Sequence, residues 1–157
     1  MKNLKTLRIV NSIDINTNLH ISNTTVEFLK LSTYFKNPAE FDFLIRIFKC
    51  VKHLEIEHNR LESSNIFCLQ EALPNLTSLS LTNCSGDFIN HIKFDKLKKF
   101  KLKKIIVFQR VELMNLAFRN PSLESLILDK TAIADEDFRM LHSYQTSMNS
   151  KFQVCIV

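Results

Sequence analysis

The amino-acid sequence predicts an α/β solenoid, in which short parallel strands and helices alternate along one continuous array. Two observations support this prediction. An apolar pattern at relative positions one, four and six recurs along the whole chain, and amphipathic segments lie between several of its copies. The 157 residues, 45% hydrophobic and 24% charged, suffice for one domain with a core and are too few for two ordinary domains.

Six full copies of the pattern and one truncated copy span the chain. They begin at residues 4, 26, 51, 76, 97, 123 and 152, a spacing of about 25 residues. An apolar-rich chain produces the pattern occasionally, but six copies in near-regular phase are hard to obtain by chance. The copies are Leu4-x-x-Leu7-x-Ile9, Val26-x-x-Leu29-x-Leu31, Val51-x-x-Leu54-x-Ile56, Leu76-x-x-Leu79-x-Leu81, Leu97-x-x-Phe100-x-Leu102, Leu123-x-x-Leu126-x-Leu128 and Phe152-x-x-Cys155-x-Val157.

Each copy predicts a strand with one buried and one wet face. Positions four and six point to the same side of a strand and bury together, whereas positions three, five and seven point to the other side. The wet faces should therefore form one surface of mixed chemistry. Its central row, at position five, reads Arg8, Lys30, Glu55, Ser80, Lys101, Ile127 and Ile156.

The segments between strands predict helices on the other side of the core. Asn37 followed by Pro38 is a helix cap with proline at the first helical position. The apolar residues Phe41, Leu44, Ile45 and Phe48 then fall at helical spacing. Three further helices are expected: one with Ile66, Leu69 and Leu73 inward, one from Val111 to Phe118, and one from Asp135 to Leu141 with Phe138 and Leu141 inward.

These residues resemble those of a leucine-rich repeat protein over essentially the whole chain. The clearest copy is Leu73-Pro74-Asn75-Leu76-Thr77-Ser78-Leu79-Ser80-Leu81-Thr82-Asn83-Cys84. The resemblance implies a curved horseshoe, with a parallel sheet on the concave face and helices on the convex face. It also implies that the position-nine side chain, here Asn59 or Cys84, bonds neighbouring backbone groups in a ladder. Ser12 and Thr131 hold the same position, whereas Tyr34 and Ile105 depart from the pattern and should interrupt the ladder.

The irregular repeat lengths and phrases such as Ile133-Ala134-Asp135-Glu136-Asp137-Phe138 resemble the cytoplasmic and nuclear repeats of F-box proteins. In that family the repeats hold a substrate while a separate F-box recruits the ubiquitin-ligase core. No F-box is present here, so the resemblance implies at most a substrate-recognition part. We expect residues 1–157 to form one domain of six to seven repeats. With little sequence for polar caps, either the repeats continue in a longer protein or end-to-end packing covers the sheet edges.

Several chemistries have no support in the sequence. The only glycine, Gly86, excludes glycine-rich phosphate loops. Cys50, Cys68, Cys84 and Cys155 lack the spacing of a zinc site, and small buried hydrophobic residues explain them better. His53, Glu55, Glu57 and His58 could bind a metal, although a solvated polar strand face is the preferred interpretation. We therefore expect no catalytic site, no cofactor and no metal.

We expect the chain to recognise other proteins through its concave face. Seven residues on that face are the candidate binding residues: Phe28, Lys30, His53, Glu55, Ser80, Lys99 and Lys101. Aromatic side chains among mixed charges suit protein partners. Seven lysines between residues 93 and 104 against Asp95 alone form a basic patch, which could steer an acidic partner or simply keep a strand soluble and unpaired.

Two alternatives remain open. The sequence has no apolar run long enough for a membrane span and opens without a secretion signal, which favours a cytoplasmic or nuclear protein. Three glycosylation sequons, at Asn23, Asn75 and Asn83, are the observation that fits an extracellular or cell-surface repeat domain instead. A phosphate or nucleic-acid binder using Lys93–Lys104 is the other alternative, weakened because the basic residues are confined to one patch.

Overall fold

The computed structural model of the chain describes residues 4–10, 22–35, 37–85, 88–105, 110–129, 139, 143 and 153–156. Seven strands, three α-helices and one 3-10 turn have their bounds within these residues, and Arg139 and Ser143 are also helical. In chain order they are β1 (Thr6–Val10), β2 (Phe28–Ser32), α1 (Pro38–Ile47), β3 (His53–Glu57), α2 (Ser63–Ala72), β4 (Ser78–Thr82), the 3-10 turn (Ile89–His91), β5 (Lys99–Lys103), α3 (Arg110–Arg119), β6 (Ser125–Leu128) and β7 (Gln153–Ile156).

The seven strands form one open parallel sheet in sequence order, β1-β2-β3-β4-β5-β6-β7. This confirms the predicted α/β arrangement of consecutive parallel strands. From β1 to β6 the pairing keeps the predicted phase, so that equal positions of successive copies lie side by side. Position five runs through Arg8, Lys30, Glu55, Ser80, Lys101 and Ile127 in adjacent pairs.

The last copy of the pattern is shifted by one residue from its predicted phase. Cys155, and not Ile156, pairs with Ile127, and Val154 pairs with Leu126. Val154 is partly buried against the core, whereas Cys155 is exposed. The valine side chain has more apolar surface than the cysteine side chain. The observed register, with Val154 toward the core, therefore buries more apolar area than the predicted register would. The predicted strand pattern at Phe152, Cys155 and Val157 was therefore wrong.

The core lies on one side of the sheet, between the strands and the helices. Side chains at positions four and six of the central strands are buried, and Leu79 in the middle of β4 is fully buried as expected. Not every phenylalanine joins this core, because Phe67 is 50% and Phe118 59% exposed. The other side of the sheet carries no helix in the described part of the chain, and we call it the open face.

The first helix forms as its capping residue predicts. The Asn37 side chain accepts a hydrogen bond of 3.0 Å from the backbone N–H of Glu40, and Pro38 begins α1. Phe41, Leu44 and Ile45 then face the core. α2 and α3 form where the apolar spacing predicts helices, whereas the predicted helix from Asp135 to Leu141 lies outside the described residues except for Arg139.

Position nine links neighbouring repeats as a ladder. The buried Asn59 amide donates to the Thr33 carbonyl at 2.6 Å, and the Cys84 thiol donates to the Ile56 carbonyl at 3.6 Å. Tyr34 is 65% exposed and Ile105 is buried as an apolar group. Neither side chain takes the bonding role of Asn59, in agreement with the two predicted departures.

Position eight, just before these ladder residues, has a shared backbone conformation that the sequence did not reveal. His58, Asn83 and Lys104 have φ values of 57°, 52° and 51°. Left-handed backbone is unusual for residues other than glycine, although Asn and His adopt it more often than most. It turns the chain out of β3, β4 and β5 in the same way, which gives these three strands equivalent exits toward the outer layer.

Candidate binding face

The open face consists of three parallel rows of side chains, at positions three, five and seven of the strands. These side chains are exposed or half-buried while their neighbours at positions four and six are buried. All seven candidate binding residues lie on this face. They form two groups: Phe28, Lys30, His53 and Glu55 on β2 and β3, and Lys99 and Lys101 on β5, with Ser80 on β4 between them.

The charged side chains on β2 and β3 form ion pairs with one another, one lysine with two glutamates. Lys30 Nζ lies 2.6 Å from Glu57 Oε1 and 3.5 Å from Glu55 Oε2. The Ser32 hydroxyl donates to the other Glu57 oxygen at 2.6 Å. Hydrogen bonds from Lys30 and Ser32 hold the pKa of the Glu57 carboxyl below its ordinary value, and the bond to Glu57 raises the pKa of Lys30. The Lys30 ammonium group is therefore already engaged in ion pairs within the protein.

An aromatic contact lies beside this ion pair. The rings of Phe28 and His53, which are neighbours across β2 and β3, have centroids 6.5 Å apart and an angle of 32° between their planes. Phe28 is half-buried and His53 is exposed. Together they place a pair of aromatic rings beside the ion-paired cluster on the β2–β3 side of the open face.

The fifth strand differs in its charge. Lys99, Lys101 and Lys103, which we call the lysine row, occupy positions three, five and seven of β5. Among the described residues no acidic side chain forms an ion pair with any of them. Lys98, one residue earlier, points elsewhere and pairs with Glu124 at 2.9 Å. The alternation of the strand thus separates three lysines that have no acidic partner in the described ranges from Lys98, which has one.

Hydroxyl groups border the lysine row on β4. Ser78, Ser80 and Thr82 lie opposite Lys99, Lys101 and Lys103 in the strand pairing. On the other side, Ser125 and Ile127 of β6 lie opposite Lys99 and Lys101. The row therefore has small hydrogen-bonding groups on one side and both a hydroxyl and an apolar side chain on the other.

Sequence reasoning placed these residues on the right face but missed how they are partnered. Glu57 was not among the candidate binding residues, although its carboxylate organises the β2–β3 cluster. Ser32 was missed altogether. Strand alternation could have placed both on the open face, but only the pairing of β2 with β3 brings the Ser32 hydroxyl to Glu57. Lys103 follows the same alternation as Lys99 and Lys101 and belongs with them.

The metal-binding interpretation of His53, Glu55, Glu57 and His58 has no geometric support. His58 Nδ1 contacts the Asn83 amide at 2.8 Å, and Glu57 is engaged by Lys30 and Ser32. Within the part of the chain that the structure describes, no three His, Cys, Asp or Glu side chains are grouped to hold an ion.

The buried thiols are poor nucleophiles. Burial raises the pKa of Cys68 to about 12 and that of Cys84 to about 11. The thiolate is the reactive form of cysteine, so both side chains are almost wholly in the unreactive thiol form near neutral pH. Their position inside the core is consistent with packing.

A small cleft lies at the carboxyl ends of β2 and β3. It has a volume of about 130 Å³ and includes Tyr34, Asn59 and Asn65 in its lining. The Asn59 amide is bonded to backbone carbonyls, and Asn65 accepts from the Glu62 N–H at 3.0 Å. Since both buried amides are engaged within the protein, the open face is the stronger candidate for binding.

Comparison with known proteins adds no family assignment: no protein-family model, curated protein or solved structure gives a significant match to the chain. None of the helices in the described ranges is both long and apolar enough to cross a membrane.

Proposed function

We propose that this chain is a leucine-rich repeat domain that acts as a non-catalytic protein-interaction module, with the open face as its binding surface. The observation that carries the proposal is the division of the sheet into a side that is buried on its central strands and an open side. The open side presents aromatic, acidic, hydroxyl and basic groups in ordered rows. Such mixed surfaces with a few aromatic and charged anchors suit recognition of protein partners.

The repeat pattern and the position-nine ladder support the family assignment. Asn59 and Cys84 make bonds between repeats of the kind expected from the resemblance to leucine-rich repeats. The further likeness to F-box proteins supports a role in substrate recognition for a ubiquitin ligase, in the cytoplasm or nucleus. A ligase adaptor would then engage sequence outside these 157 residues, since they contain no F-box.

Site-specific photocrosslinking tests which face works. A photoreactive residue is placed at Ser80 on the open face and, in a matched variant, at Phe67, which is exposed on α2. Both variants are expressed in cells, illuminated and compared for covalently captured proteins. We expect discrete crosslinked species from position 80 and few from position 67. Capture from position 67 alone would place the binding surface on the helices and overturn the proposal.

A further inference from the structure

We propose that the lysine row binds an acidic segment of another protein, held in extended conformation with its carboxylates at alternate positions. This inference rests on the proposed function and specifies the chemistry of the partner. Three observations carry it: the row has no acidic partner in the described residues, its spacing matches that of an extended chain, and its neighbours supply hydroxyl groups instead of aromatic rings.

The first observation concerns charge. Lys5, Lys30, Lys52 and Lys98 all form ion pairs with glutamates within the protein. The lysine row does not, in the described part of the chain, although its three cations share one strand. Like charges so close together repel one another. An anionic ligand would relieve that repulsion, and so the row provides a local electrostatic reason to bind one.

The second observation concerns spacing. Alternate residues of a strand are separated by about 6.6 Å along its axis, so the α-carbons of Lys99 and Lys103 span about 13 Å. An extended peptide has the same repeat, and its alternate side chains also point to one side. Three acidic residues at positions i, i+2 and i+4 of a ligand can therefore each face one lysine. Consecutive acidic residues would point half of their carboxylates away.

The third observation concerns the flanks. Ser80 and Thr82 of β4 border the row as hydroxyl donors, which can bond carboxylate oxygens together with the ammonium groups. Ile127 of β6 lies beside Lys101 and offers an apolar contact to a residue next to the acidic ones. A carboxylate-bearing peptide with interspersed apolar or small residues fits both borders.

The same surroundings disfavour a nucleic acid. Proteins that bind single-stranded DNA or RNA combine basic grooves with aromatic rings on which the bases stack. The open-face positions described for β4, β5 and β6 contain no aromatic side chain. Phe28 lies three strands from β5, about 14 Å across the sheet. A polyanion long enough to reach from the lysine row to Phe28 would also pass Glu55 and Glu57. Their two negative charges exceed the single positive charge of Lys30 and would repel it.

Titration of the full ¹⁵N-labelled chain, followed by NMR, tests the inference with defined probes. The first peptide has eight residues, with Glu alternating with Thr. The second has the same composition, with four Glu followed by four Thr. The other probes are an eight-nucleotide oligothymidylate and vesicles containing phosphatidylserine. We expect the alternating peptide to shift the amide signals of Ser80, Lys101 and Ile127, and to bind at least about threefold more tightly than the block peptide.

Charge reversal on two faces supplies the matched control. The double variant Lys99→Glu, Lys101→Glu should weaken binding of the alternating peptide by about tenfold or more at low salt. The double variant Lys96→Glu, Lys98→Glu makes the same change in net charge a few residues earlier. There Lys96 contacts Asn75 and Lys98 contacts Glu124, and affinity should change by less than about threefold.

Several outcomes would overturn the inference. They are the absence of signal changes at the lysine row, equal losses of affinity in the two double variants, or equal affinity for the two peptides. Tighter binding of the oligonucleotide or the vesicles at the same residues would assign the row to phosphate ligands instead. In each case, continued capture of proteins by the photoreactive residue at position 80 would still support the proposed function. Loss of that capture would contradict both the proposed function and this inference.

Discussion

The Asn59 side-chain amide donates a 2.6 Å hydrogen bond to the carbonyl oxygen of Thr33 and a 3.1 Å bond to that of Glu57. Asn59 is only 5% exposed, so water has little access to these groups. One side chain thus satisfies a carbonyl of the preceding repeat and one of its own repeat. Buried backbone carbonyls need such partners, and here a side chain between strands supplies them.

Replacing this side chain should destabilise the protein. We expect Asn59→Ala to lower the free energy of unfolding by about 1–3 kcal/mol, because it leaves a buried carbonyl without its donor. Urea denaturation measures the change. Asn75→Ala is the control: Asn75 is exposed and contacts the surface Lys96, and its removal should change stability by less than about 0.5 kcal/mol. Equal effects of the two changes would contradict the structural role of Asn59.

Leu79 provides a test of the core. It is fully buried at the centre of β4, between strands on both sides. Leu79→Ala should cost about 2–5 kcal/mol through lost burial and the cavity left behind. Ser80→Ala changes the next residue, on the open face, and should have little effect on the urea midpoint. An unchanged midpoint for Leu79→Ala would show that the two faces of the strand are assigned the wrong way round.

The Lys30–Glu57 pair should make stability depend on pH at acid pH. Hydrogen bonds from Lys30 and Ser32 hold the folded-state pKa of Glu57 below its ordinary value of 4.5. The stabilisation is therefore present above pH 4.5 and is lost as the pH falls through the lowered pKa. Glu57→Gln should be less stable than wild type at pH 6, with a difference that shrinks as the pH falls below 4.5.

Lys30→Gln tests the same pair from the other partner. Removing the largest cause of the shift brings the folded-state pKa of Glu57 nearer to its ordinary value, so the stability lost to acid should be smaller than in wild type and complete at a higher pH. Thermal melting between pH 3 and pH 7 measures both variants. A constant difference between wild type and Glu57→Gln across this range would mean that the pair contributes no pH-dependent stability.

Reversing charges in the lysine row should leave the fold nearly intact. We expect Lys99→Glu and Lys101→Glu each to change stability by less than about 0.5 kcal/mol, as is usual for surface substitutions. A pull-down from cell lysate, followed by association kinetics on the captured protein, should then show a slower on-rate at low salt. Unchanged association of the same partners, together with loss of capture after charge reversal on the outer helices, would place the working surface on the helical side.

The cysteines should differ sharply in reactivity. Burial raises the pKa of Cys68 and Cys84, whereas Cys155 is exposed on the open face. At pH 8 iodoacetamide should modify Cys155 first, with Cys68 and Cys84 modified only after denaturation. Mass spectrometry of the peptides over time measures the order. Early labelling of Cys84 would show that the position-nine ladder opens readily.

The sequence predicted the sheet because its signal is local and repeated. Leu54, Leu79 and Leu126 hold the same place in their copies, and a parallel sheet buries all of them on one side. The prediction failed for the final copy because two registers, one residue apart, both place apolar residues at the expected spacing. The predicted register used Phe152, Cys155 and Val157. Only the choice of which side chain meets the core, Val154 or Cys155, separates the two.

The polar partners were harder to foresee because they depend on distances across strands. Nothing in the segment around Asn120 identifies this residue as a structural element. In the fold its amide is buried, accepting from the Phe94 N–H at 2.7 Å and donating to the Leu116 carbonyl at 2.7 Å. The Asn120–Pro121 pair indicates only where α3 ends, since a helix commonly ends before proline. Glu57 similarly acquired its role only when Lys30 and Ser32 came within reach.

The constant pairing phase from β1 to β6 also bears on how this chain can tolerate insertions and deletions. The copies begin at residues 4, 26, 51, 76, 97 and 123, at unequal intervals, yet position five stays aligned in every pair. Length differences are thus absorbed in the connecting segments. A residue added there leaves Lys101 opposite Ser80, whereas one added inside a strand moves the following side chains to the opposite face. Evolution can therefore lengthen the outer layer while the chemistry of the open face stays unchanged.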